Sequence, residues 1–224
     1  GMGRGANLAF QYIKTDFFLL LSPDTKIDES SIQKLINTAS IYDNCAISAP
    51  LNYLDKNSYG ILPEKRDLYE KNKDKIHFRE DKLDIKPEGE ICVDITKGCA
   101  LLIKSKYFAE VGGFSEKYFL FWEEIDLCKK FLKKKLAIIV NPYSIVHHTD
   151  GKSSKIDLEN LFIRTYHHEI SPLYYFDVKK NSFHLYKNIL KYLFRTLSYL
   201  FIFNFKNSIK NFSKLAANIS FIFR

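Results

Sequence analysis

Apolar positions follow two rhythms along this chain. Short apolar runs bounded by turn residues predict strands, and stretches with an apolar residue every three or four positions predict helices. Phe17 to Leu21, five apolar residues with two aromatics among them, predicts a buried strand that ends at Ser22-Pro23-Asp24-Thr25. Cys45 to Ala49 predicts another strand, stopped by Pro50; Ala100 to Ile103 and Leu136 to Val140 predict two more. Ile91 to Ile95 alternates and predicts a strand leading to Lys97-Gly98-Cys99. A helix follows the opening Gly3-Arg4-Gly5-Ala6-Asn7, with Leu8, Ala9, Tyr12 and Ile13 on one face. Asp28 to Tyr42 predicts a second helix, capped by Asp28 or Ser30, with Ile32, Leu35, Ile36 and Ala39 as its buried stripe. Gly112-Gly113 breaks the chain, because two glycines accept backbone angles that other residues resist. Phe121-Trp122-Glu123-Glu124-Ile125-Asp126 then opens a helix that runs into Lys133-Lys134-Lys135. From Asn52 to Glu90 the pattern dissolves into interleaved Lys, Asp and Glu, which predicts a surface excursion.

The tail is helical in period. Lys187, Lys191 and Arg195 are four apart, as are Lys206, Lys210 and Lys214. Leu185, Ile189, Leu193, Leu197 and Leu200 form an apolar stripe beside the first set, and Ile209, Phe212, Leu215, Ile219 and Phe223 one beside the second. Two basic amphipathic helices suit an anionic membrane surface, where each cation adds about 1 kcal/mol. The alternative is that they pack on the domain or on a second subunit. Nucleic acid is not an expected partner, because the aromatics lie on the apolar stripe and not among the lysines. No run reaches the roughly 18 apolar residues that a transmembrane helix needs.

Charge sharpens this division. The formal charge of +8 belongs to the tail: Val178 to Arg224 holds nine Lys or Arg and no Asp or Glu. A chain of 224 residues can bury one good core, or one core and a small appendage. The four cysteines, Cys45, Cys92, Cys99 and Cys128, form no CxxC pair and have apolar neighbours. They are expected to be free, buried thiols rather than zinc ligands or disulfides. No signal peptide opens the chain, and Gly1 ahead of Met2 reads as an added residue.

Candidate chemistry sits at the ends of these elements. Glu123, Glu124 and Asp126 are three carboxylates within four residues. Acids in a first turn suit the helix dipole; a carboxylate among large apolar rings would instead have its proton affinity raised toward that of a useful base. Asp24 lies just past the carboxyl end of a strand, where open α/β sheets bind ligands, although Pro-Asp is also an ordinary turn. Asp94 could be an edge residue or a site residue, and the structural reading is preferred. His147 and His148 fall on opposite sides of an extended segment, so only one of them can face a given site. Gly98 permits close approach of a ligand or forms a plain turn.

Gly-Cys-Ala from Gly98, the apolar strand, Gly-Gly-Phe-Ser-Glu from Gly112, and Phe-x-Phe-Trp-Glu-Glu-x-Asp-Leu-Cys ending at Cys128 resemble the acceptor-side half of family 2 glycosyltransferases. The rhamnosyltransferase-type members are the nearest likeness. The resemblance implies an α/β fold: an incomplete GT-A domain, Rossmann-like with a mixed, mostly parallel sheet, over residues 1–155, and a C-terminal helical extension over 156–224. The first strands of the family, which hold base and ribose, have no counterpart here, so the likeness covers roughly the last two thirds of the catalytic domain. It implies inverting transfer of a sugar from a nucleotide-diphosphate sugar to a hydroxyl of a glycan or lipid-linked glycan, assisted by Mg2+ or Mn2+. Glu124 stands at the family's base position, one methylene longer than the usual Asp, and Glu123 orients the site. Asp24 and His148 correspond to the cation ligands, with Ser22 in place of the motif's first acid and His147 as the fallback histidine. Gly98, Cys99, Trp122, Asn7 and Arg164 correspond to substrate-binding positions. Arg164 could equally serve a structural salt bridge. The chain is expected to be cytoplasmic and peripheral on the inner face of the membrane, with homo-oligomer formation through an exposed sheet edge as a further expectation. The rival reading is a catalytically inactive fragment that acts as a partner subunit or membrane-binding module.

Overall fold

In the computed structural model, residues 1–54, 58–60, 82–83, 88–148 and 157–224 are described. Their contacts divide into two units: a sheet unit, Met2–Glu116 with Glu123–Ser153, and a helical unit, Gly1 and Lys117–Trp122 with Ser154–Arg224.

The sheet unit forms around the apolar runs. Its strands are β1 (Phe17–Leu21), β2 (Thr25–Ile27), β3 (Cys45–Leu54), β4 (Ser58–Gly60), β5 (Lys82–Leu83), β6 (Ile91–Cys92), β7 (Ala100–Lys104) and β8 (Ala137–His148). β7 lies between β1 and β3 and is antiparallel to both, and β3 pairs in parallel with β8. β1, β3 and β8 therefore point the same way, and their carboxyl ends share one edge with the start of β7. The sheet is mixed, as expected, but the expectation of mostly parallel order is corrected in the pairing. Among the described residues β3·β8 is the one parallel ladder, because β7 separates the co-directional strands and the short strands pair antiparallel.

Pro50 does not stop β3. The β3·β8 register shifts between Pro50 and Leu51, so the residue without an N–H sits at an irregularity of the ladder. β8 also outruns its expected end at Val140 and carries the chain to His148. The Asn52 to Glu90 excursion lies largely outside the described residues.

Around the sheet stand α1 (Met2–Phe10), α2 (Glu29–Ile41), α3 (Ser105–Glu110) and α4 (Glu123–Lys133). Asp28 caps α2 by accepting from the Ser31 N–H at 2.6 Å, and Leu35 and Ala39 are buried beneath it. The α1 expectation is overturned. The helix starts among the glycines, and Gly3, Ala6 and Phe10 face the core while Leu8 and Tyr12 are exposed. Small residues explain the choice. A Cβ on Gly3 would stand 2.9 Å from the Phe114 Cβ, so only glycine lets the helix approach this closely. The core of the unit joins Ile47, Leu51, Leu101, Ile103, Phe108, Phe114, Leu127 and Phe131. Cys45, Cys99 and Cys128 are buried as expected, whereas Cys92, on a short strand, is exposed.

The helical unit holds α5 (Leu158–Tyr175), α6 (Phe183–Phe201) and α7 (Phe205–Phe223). Ile170, Leu173, Leu185, Ala217 and Phe221 form its core. A polar seam runs beside it: Asn218 Nδ2 donates to Glu169 Oε1 at 3.1 Å, and Lys214 lies 3.9 Å from the same carboxylate. The expected apolar stripes divide. Leu185 and Leu215 are buried, but Leu193, Leu197, Leu200, Phe212, Ile219 and Phe223 are exposed. α6 turns Leu185 and Tyr192 inward, with Thr196 half-buried behind them, so Leu193, Leu197 and Leu200 are left outside.

Candidate active site

The carboxyl edge of β1, β3 and β8 is where the sequence-marked residues gather. After β1, Ser22 donates its N–H to the Cys99 carbonyl at 2.9 Å, which ties the Ser22-Pro23-Asp24 turn to the start of β7. β2 then pairs with the end of β8, with Thr25 opposite His148 and Lys26 opposite His147. Alternation along β8 decides between the two histidines: His147 is exposed, while His148 turns inward. His148 Nε2 lies 3.1 Å from Asp24 Oδ1, and both side chains are largely buried. Beneath them Cys99, Ala100 and Val146 pack together with Ile27.

The second half of the edge is the start of α4. Gly98 packs flat on Glu124: a Cβ there would stand 3.4 Å from the Glu124 Cβ and Cγ. Two influences compete at this carboxylate. Burial pushes it up to about 7 from an ordinary 4.5, the neighbouring Glu123 charge adds to the rise, and its own backbone N–H opposes. A helix N-terminus offers an anion roughly 0.3–1 kcal/mol, so here desolvation wins. Glu123 is also raised, chiefly by burial. It is 4% exposed, and among the described residues its Oε2 has no hydrogen-bond partner. Asp126, one turn on, lies 3.9 Å from Lys130, whose ammonium donates to the Gly113 carbonyl at 2.7 Å.

These two halves are continuous. Glu124 touches Gly98; Gly98 leads to Cys99; Cys99 holds Ser22; Ser22 leads to Asp24; and Asp24 meets His148. All of them lie in the sheet unit.

Three sequence-marked residues stand elsewhere. Asn7 clamps the glycine turn: its Nδ2 donates to the Phe114 carbonyl and its Oδ1 accepts from the Phe114 N–H, each at 2.9 Å. That occupies the amide, so the expected sugar contact gives way to a structural role. Trp122 and Arg164 belong to the helical unit. The Trp122 ring is buried against Tyr175 and Phe176, at centroid distances of 5.0 and 5.6 Å, and offers no open face to a sugar. Arg164 covers the Phe121 ring at 5.5 Å. Phe121 and Trp122 both adopt left-handed backbone, φ 65° and 73°. Two consecutive bulky residues in that region cost roughly 1–3 kcal/mol each, and this strain sits directly ahead of Glu123.

Asp94 is buried at 7% exposure. Burial pushes the Cys128 thiol up to about 12; the Thr96 backbone opposes, and the charges of Glu124 and Asp94 both add to it. Asp94 thus shares the neighbourhood of Glu124. Alternation over 91–95 groups Asp94 with the exposed Cys92 and not with Val93 and Ile95, so the sequence carries no sign of its burial.

Among the described residues no cluster of three or more His, Cys, Asp or Glu is arranged to hold a metal. Asp24 and His148 supply an oxygen and a nitrogen, a donor pair that suits Mg2+ or Mn2+ when phosphate oxygens and water complete the shell.

The fold is structurally that of a GT-A glycosyltransferase, in part. The structure of GalNAc-T7 with UDP, GalNAc and Mn2+ superposes with a TM-score of 0.51 and 13% identity, over 77% of this chain and 37% of that one. In sequence the chain is similar to the N-acetylglucosaminyl-diphospho-decaprenol L-rhamnosyltransferase of Mycobacterium tuberculosis, from two strains: 24% identical over 149 residues, 59% of this chain and 47% of the relative. The chain thus spans about half the length of the curated relatives it matches. No protein-family profile matches it.

Proposed function

We propose that this chain carries the acceptor-side catalytic groups of an inverting glycosyltransferase. The reaction moves a sugar from a nucleotide-diphosphate sugar to a hydroxyl of a glycan or lipid-linked glycan, in the making of cell-surface polysaccharide. The observation that carries the reading is Glu124: a carboxylate raised to about 7, seated on Gly98 and joined through the Cys99–Ser22 contact to the Asp24–His148 pair.

A base near neutral pKa can hold a proton and release it at working pH. Glu124 takes the proton of the acceptor hydroxyl as that oxygen bonds to the anomeric carbon. The carbon–oxygen bond to the diphosphate breaks on the opposite face, and its electron pair leaves with the diphosphate. A bound Mg2+ or Mn2+ would neutralise charge on that leaving group, and Asp24 and His148 are the residues that would hold it. Glu123 keeps the proton affinity of Glu124 high by adding a second carboxylate beside it. The missing side-chain bulk at Gly98 leaves the acceptor room to approach the base.

The name of the curated relative contains a lipid-linked acceptor, a diphospho-decaprenol, which supports a lipid-linked glycan as acceptor here; the basic tail supports work at an anionic membrane surface, on the cytoplasmic side in this reading. Incubating the protein with uridine and thymidine diphosphate sugars, Mg2+ or Mn2+ and a lipid-linked glycan tests the reading through release of nucleoside diphosphate. Acceptor-dependent release is expected, falling by roughly 100- to 10,000-fold in Glu124→Gln. No release with any donor, together with no calorimetric binding, would favour the non-catalytic partner subunit.

A further inference from the structure

α6 has three sides, and only one faces its own unit. Leu185 and Tyr192 are buried, with Ile189 and Thr196 half-buried on the same side. On the opposite side Phe183, Tyr186, Leu190, Phe194, Leu197 and Phe201 follow one another at three- and four-residue steps, all exposed. Lys187, Lys191 and Arg195 line the flank between these two sides, and all three are exposed. The apolar side continues into the turn toward α7, where Ile202, Phe203 and Phe205 are exposed as well. Phe203 closes α6 in left-handed backbone, φ 56°, a place that glycine or asparagine usually fills, and yet it is 79% exposed. The left-handed backbone closes the helix, with the Asn204 N–H donating to the Tyr199 carbonyl at 2.8 Å, but that cap does not require the Phe203 ring to be exposed.

We infer that this outward face of α6, with the Phe201–Phe205 turn, docks on an anionic lipid bilayer. The apolar row would sink into the headgroup–acyl boundary while the basic flank reaches the headgroups. Charge selects this occupant over a second copy of the chain. Val178 to Arg224 contains no Asp or Glu, so pairing two such faces would set unanswered cation rows together. The helix lies on the surface and does not cross it: α6 has 19 residues, about 28 Å of length, but among the described residues no helix is apolar enough to span a membrane. The inference deepens the proposed function, since a lipid-linked acceptor would be met at this surface, and it rests on that reading only for its purpose.

The test is flotation of the full chain with phosphatidylcholine vesicles, with and without phosphatidylglycerol. Binding is expected to the anionic vesicles and to weaken with salt. Replacing Lys187, Lys191 and Arg195 by Ser should reduce partitioning about a hundredfold. Phe194→Glu with Phe201→Glu should abolish it, with helicity by circular dichroism unchanged because both side chains are already outside. Phe203→Trp should show quenching by brominated acyl chains beyond any shown by the wild type, whose single Trp122 is buried. Wild type that does not float, or a dimer in sedimentation that Phe194→Glu dissolves while flotation is absent, overturns the inference. Flotation without sugar transfer would count against the proposed function alone, and transfer to a water-soluble acceptor without flotation against the anchor alone.

Discussion

At the scale of single residues, the decisive quantity is the proton affinity of Glu124. Its folded value, about 7, lies above the ordinary 4.5, so the folded state favours the protonated form. The stability this contributes is complete below the unfolded value and is lost as pH rises through the folded one. Glu124→Gln, which never ionises, should therefore gain stability over the wild type as pH is raised from about 5 to about 8. Urea midpoints across that range measure it; a constant difference would contradict a buried, raised carboxylate. Turnover should fall below about pH 7, where the base becomes protonated. A second residue-scale prediction concerns the glycine turn. Asn7→Ala removes both bonds to Phe114 and should cost about 2 kcal/mol. Gly113→Ala should cost about 3 kcal/mol, because φ is +65° and the new Cβ would stand 2.6 Å from Asn7 Oδ1. Chemical denaturation reads both.

At the scale of elements, the strands were legible and their ends were not. Five apolar residues name β1 whatever its neighbours. The run through Pro50 and the length of β8 depend on a ladder whose register shifts at that proline, and a single strand's sequence does not display its partner. α1 shows the same limit in a helix. Leu8 and Tyr12 look like a buried face, but the core-facing side is Gly3, Ala6 and Phe10, chosen by how close Phe114 comes. The Asp24–His148 pair was legible because alternation on β8 excludes one of two adjacent histidines. Trp122 was misread for a reason of the same kind: its rings of contact, Tyr175 and Phe176, lie more than fifty residues away in the chain. In the tail, apolar period identified two helices, but only packing shows which side of each faces outward.

At the scale of the whole molecule, chemistry and charge separate into the two units. The sheet unit holds every titratable group of the proposed reaction, and the helical unit holds the tail, with nine cations and no acid from Val178 onward. The central claim is that Asp24, His148 and Glu124 serve one site at the carboxyl edge of the sheet. Anomalous scattering from crystals soaked with Mn2+ and uridine diphosphate tests it most directly. A manganese peak in coordination distance of Asp24 and His148, with the diphosphate extending toward Gly98 and Glu124, is the expected result, and His148→Ala should remove the peak. Manganese and nucleotide bound away from that edge, or a peak that persists in His148→Ala, would contradict the account.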